Sequence, residues 1–111
     1  LLTACGGPAG AGDDGCADVV GVATAMSSDG TARIDVTVES DDEGWEAYAD
    51  RWELLVDGEV IAERVLLHPH VDEQPFTRSL SGVQLPVGER IVVRAHHSVG
   101  GYCGLEGSID T

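Results

Sequence analysis

The sequence predicts an all-β domain, an immunoglobulin-like or fibronectin type III-like sandwich of about seven antiparallel strands. Three observations predict it: apolar and polar residues alternate strictly in several segments, turn residues recur roughly every 8 to 12 positions, and no segment sustains a 3.6-residue period. An open barrel is the alternative architecture. No internal repeat is visible.

The elements follow in order. Residues 18–26 form a first strand, and Arg33-Ile34-Asp35-Val36-Thr37-Val38-Glu39 a second, whose alternation marks one buried and one solvated face. Residues 43–50 are the single stretch with the pattern of a helical turn. Trp52, Leu54 and Val56 alternate in the third strand and run into Asp57-Gly58, a two-residue hairpin signal. Residues 59–67 make the return strand, rich in Val, Ile and Leu. In 76–85, Phe76, Arg78 and Leu80 share a face, and Pro86-Val87-Gly88-Glu89 turns the chain. Arg90–His97 places Ile91, Val93 and Ala95 inward, and 102–109 gives a weaker last strand. Trp52 is expected in the core, as the buried Trp of a sandwich's third strand.

The chain has 111 residues, one small domain's worth, and 42% of them are hydrophobic. Six basic residues, all Arg, stand against 20 acidic ones, a net charge of −14 that excludes a phosphate-binding surface for nucleic acid. Lys and Asn are both absent. That composition fits GC-rich coding, and equally the acidic, Lys-poor surface of a salt-loving organism.

The first residues bear on location. Leu2-Thr3-Ala4-Cys5, followed by Gly6-Gly7-Pro8, resembles the lipobox of bacterial lipoproteins, in which small residues precede the cysteine that becomes lipidated. The resemblance implies that residues 1–4 are a signal-peptide remnant and that Cys5 carries a lipid anchor. The protein is then extracytoplasmic, attached to the cell membrane by several acyl tails. Residues 5–15 read as a flexible Gly-rich tether reaching at most about 35 Å, and residues 16–111 as the folded domain. With Cys5 lipidated, Cys16 and Cys103 remain as a pair in an oxidising compartment, where a disulfide is expected.

Antiparallel strands put every second loop at the same end of a sandwich. Cys16 and the loops 41–48, 68–75 and 98–102 therefore share one end, which brings Cys16 near Cys103. That end also collects the candidate functional residues. His68 and His70, two apart in an extended segment, point to one side. With His97 from a late strand and Asp72 as a fourth ligand, they are a candidate Zn(II) or Cu(II) site. His96 and His97 face opposite ways, so at most one joins. The alternative is that His68 and Pro69 punctuate a strand end while His70 bonds to backbone. Trp45, Tyr48, His68, His70 and Tyr102 form the candidate partner-binding surface, for a protein or a glycan. The acidic stretch Glu39, Asp41, Asp42, Glu43 and Glu46 reads as a solvated turn; it offers oxygen for Ca²⁺ but lacks EF-hand spacing. No Gly-x-Ser-x-Gly elbow surrounds Ser79, Ser81 or Ser98, and no acid–base pair stands out, so no catalytic residue and no required cofactor is assigned.

Gly44-Trp45-x-x-Tyr48-Ala49-Asp50-x-Trp52 and the string His68-Pro69-His70-Val71-Asp72-Glu73-Gln74-Pro75-Phe76 resemble a family of small exported bacterial proteins of uncharacterised function. The resemblance covers roughly residues 45–99 and implies a β-sandwich and an exported location, with no activity and no residue roles to carry over. A structural account of the string would pair Arg78 with Glu73 and use Gln74 to tie loop backbone. The reading is a membrane-anchored, non-catalytic interaction module, with a Zn- or Cu-binding lipoprotein as the alternative.

Overall fold

The computed structural model of the protein describes residues 15–111; the lipobox, Cys5 and most of the tether lie outside them. Seven strands are present: β1 (Ala17–Met26), β2 (Ala32–Ser40), β3 (Ala49–Val56), β4 (Glu59–Val65), β5 (Phe76–Val83), β6 (Arg90–His97) and β7 (Gly107–Asp110). They form two antiparallel sheets, ordered β1-β2-β5 and β4-β3-β6-β7. No helix occurs among the described residues.

The alternation in β2 becomes a face: Ile34, Val36 and Val38 are fully buried, while the polar residues between them point outward. Across the core they meet Trp52 and Leu54 of β3 and Ile91, Val93 and Ala95 of β6 in one cluster that Ala17, Val19 and Phe76 extend. Trp52 is wholly inside, as expected. Two sheets sharing one apolar interior make the sandwich.

The β3–β4 hairpin turns at Asp57 and Gly58, with φ of +51° and +81°. Both central residues at positive φ are what a type I′ turn requires, and Gly58 meets that requirement at no steric cost. This tight turn keeps β4 beside β3 in the four-stranded sheet.

Two expectations need correction. The 43–50 stretch is not a helical turn: Glu43 N–H donates to Ala47 O (2.8 Å) and Ala47 N–H to Gly44 O (3.2 Å), closing a compact turn, and Ala49 already belongs to β3. Gly44, at φ +148°, favours that turn over a helix. The last strand is also shorter than 102–109, because residues 102–106 are held by other bonds. Val19 N–H donates to Leu105 O (2.8 Å) and Leu105 N–H to the Asp18 carboxylate (2.6 Å).

The shared loop end is real. Cys16 and Cys103 form a disulfide with Cα atoms 5.2 Å apart. Gly100 and Gly104 make room for it. A Cβ on Gly100 would lie 1.7 Å from Gly15 O and 2.8 Å from the Cys103 sulfur, and one on Gly104 would lie 1.9 Å from Ala17 O.

Candidate functional site

The loop end is organised by a residue that the sequence presents as a solvated acid. Asp42 is buried, and three separate segments donate to it. One oxygen accepts from the Ser40 hydroxyl and from Ala49 N–H (3.0 Å); the other accepts from His70 N–H (2.8 Å). This carboxylate pins loop 68–75 against loop 41–48. Gln74 does the same from the other side, accepting from Ser40 N–H (2.9 Å) while its amide donates to His70 O (2.9 Å). Arg78 grips Glu73 through a nitrogen 2.9 Å from a carboxylate oxygen. The structural account of the His-Pro-His string therefore holds for both Arg78 and Gln74.

His70 is buried, with its ring stacked on Phe76 at 3.8 Å between centroids and 11° between planes. Its Nδ1 has no hydrogen-bond partner among the described residues and lies 3.7 Å from an Asp42 oxygen. Burial, reinforced by the charges of Arg78 and His68, holds the His70 pKa below its ordinary value. The ring is therefore a neutral packing element near pH 7. His68 is exposed, 4.6 Å from the His70 ring, and its Nδ1 bonds to Pro69 O (2.9 Å). An open depression of about 330 Å³ is lined by His68, Pro69, His70, Val71, Asp72 and Glu73.

His97 does not join this group. It lies on the inner face of β6, fully buried, and its Nδ1 accepts from Val99 N–H at 3.1 Å. The four residues His68, His70, His97 and Asp72 therefore do not assemble, and no group of three metal-ligating side chains is present among the described residues. Parity did place His96 and His97 on opposite faces: His96 points outward and bonds Asp50 at 2.6 Å.

The partner surface is also divided. Trp45 is 67% exposed and meets Tyr48 edge-on at 5.7 Å. Tyr48 N–H donates to the Ser98 hydroxyl (3.0 Å), and Ser98 N–H returns to Tyr48 O (2.9 Å), so this pair borders loop 98–102. His68 is accessible at the same end. Tyr102 is elsewhere, folded over the outer face of the four-stranded sheet. Arg94 lies 3.7 Å above its ring, and its hydroxyl accepts from Arg51 (2.8 Å) and donates to Glu53 (3.0 Å).

That outer face holds a network that sequence reasoning missed. Glu53 is buried between Arg94 (3.0 Å) and Arg51 (3.3 Å) as well as Tyr102. Burial pulls its pKa up, but the bonds from Arg94, Tyr102 and Arg51 outweigh that and leave it below the usual value. The one legible signal was the cross-strand position of Glu53 opposite Arg94. The Tyr102 contribution arrives from a loop and had none.

The chain is similar to a protein of Halomicrobium mukohataei named "Putative lipoprotein", with 36% identity over 97 residues. The match takes in 86% of this chain and 47% of that protein, so the chain spans about half the length of this curated relative. No family model matches the chain, and no solved structure matches it.

Proposed function

We propose that this chain contains the folded module of an extracytoplasmic lipoprotein, anchored to the membrane through Cys5. In this reading the sandwich is non-catalytic and binds an envelope protein or glycan with its loop end. Three things support the anchor: the Leu2-Thr3-Ala4-Cys5 string, the similarity to a relative with a lipoprotein name, and a disulfide of the kind that persists in oxidising compartments. The observation that carries the binding role is the loop end itself. Asp42 and Gln74 fix two loops rigidly while His68 stays exposed at the rim of an open depression. Rigid support beneath exposed side chains is how recognition surfaces keep the entropic cost of binding low.

The test pairs location with binding. Wild-type protein should fractionate with membranes and Cys5→Ser should not; equal solubility of the two contradicts the anchor. A panel of envelope polysaccharides and exported proteins is then screened against wild type and the His68→Ala/Asp72→Ala variant, both positions lining the depression. A ligand of the loop end should bind the variant about tenfold more weakly or worse. Ligands bound equally by both would place recognition on another face.

A further inference from the structure

The first described residue, Gly15, lies at the loop end, and the segments bonded around that point carry exposed apolar side chains. Gly15 packs against Val99 and Gly100, with Val99 Cγ1 3.6 Å from the position of a Gly15 Cβ. Ser98, next to Val99, is bonded in both directions to Tyr48, whose ring meets Trp45. On the other side of Cys103, Leu105 is bonded to Asp18 and Val19 at the start of β1. Trp45 is 67% exposed, Val99 67% and Leu105 50%. Among the described residues, nothing covers this Trp and these two aliphatics.

We infer that this side of the loop end rests on the lipid surface, with Trp45 and Val99 at the level of the headgroups. The inference rests on the Cys5 anchor. From Cys5 to Gly15 the chain can span at most about 35 Å, so an anchored domain holds this end at the membrane at high effective concentration. A contact too weak to recruit a free domain is then populated. Trp is the side chain best suited to that boundary, because its ring is apolar and its indole N–H still reaches water. Charge sets which lipid surface fits. Glu43 and Glu46 flank Trp45 and the whole chain carries −14, so uncharged zwitterionic headgroups are favoured over anionic ones. The His68–Glu73 depression belongs to a different loop of the same end and remains available to a partner.

The two tryptophans make the test direct, since Trp45 is exposed and Trp52 is fully buried. The lipid-modified full chain is reconstituted into phosphatidylcholine vesicles with brominated acyl chains, and flotation and Trp emission are recorded. The expected result is flotation together with a blue shift and loss of the Trp45 part of the emission, both absent in Trp45→Phe. Adding anionic lipid should lessen the quenching. Flotation without quenching overturns the lipid contact and leaves the anchor standing, while failure to float overturns both. Equal quenching in Trp45→Phe would mean that Trp52 is reached through unfolding, and it overturns the contact. So does shielding of Trp45 from acrylamide without bromolipid quenching, which would mark a protein contact there.

Discussion

Asp42 shows how far a residue's chemistry departs from its composition. In the sequence it is one of four acids in five residues, and such runs are ordinarily hydrated. In the fold both its oxygens are filled by protein donors from Ser40, Ala49 and His70, and it is nearly inaccessible. Removing it leaves buried donors without acceptors, the costly direction of the hydrogen-bond balance. Asp42→Ala should lose about 3 kcal/mol in urea denaturation, while Asp41→Ala, at an exposed position beside it, should stay within about 0.5 kcal/mol. Similar losses in both would mean that Asp42 is not the organiser. The role was illegible because its donors lie 2, 7 and 28 residues away and only the tertiary fold brings them together. The Arg78–Glu73 pair and the Gln74 bond to His70 O could be read in advance, since these partners lie within five residues, whereas the Gln74 bond to Ser40, 34 residues away, could not.

At the scale of the element, the four-stranded sheet has two faces with different principles. The inner face follows the alternation that the sequence displays, through Trp52, Leu54, Ile91, Val93 and Ala95. The outer face is held by Glu53, on which Arg51, Arg94 and Tyr102 converge. A carboxylate so held has a folded pKa below its unfolded one. Its contribution to stability is therefore complete above the ordinary Glu value of about 4.3 and fades as pH falls through the lowered folded value. Glu53→Gln should cost roughly 3 kcal/mol at neutral pH, because two arginines lose their shared partner. Below that folded value the difference between wild type and variant should shrink, as read from thermal midpoints across an acid titration. A difference independent of pH would assign the loss to packing. Hairpin chemistry was the most legible part of this sheet: Asp57-Gly58 states its own turn. The 43–50 segment folds as a turn because Gly44 and the Asp42 bonds favour one, although its apolar spacing imitates a helix.

For the whole molecule, topology does what no single motif does. Strand parity alone predicts that Cys16 lies near Cys103 and that loops 41–48, 68–75 and 98–102 cluster, and the structure places them so. Parity says which end a loop occupies but not which way a side chain turns there. The expected surface and metal set were therefore partly dispersed: His70 stacks on Phe76 and Tyr102 turns onto the outer sheet face, while His97 simply continues the inward face of Ile91, Val93 and Ala95 into the core. The disulfide closes nearly the whole domain, a loop for which chain entropy predicts about 4.6 kcal/mol of stabilisation. Gly100→Ala should hinder that closure, because its Cβ would fall on Gly15 O and near the Cys103 sulfur. Oxidative refolding of the variant should leave more free thiol than wild type in a thiol assay; equal closure would show that the 98–104 loop has room to shift. The proposed role of the domain depends on its link to a membrane. Mass spectrometry of the amino-terminal peptide of protein isolated from its native cells tests that link most directly. The expected peptide begins at Cys5 with the mass of a thioether-linked diacylglycerol added. A peptide in which Ala4 still precedes an unmodified Cys5 would contradict it.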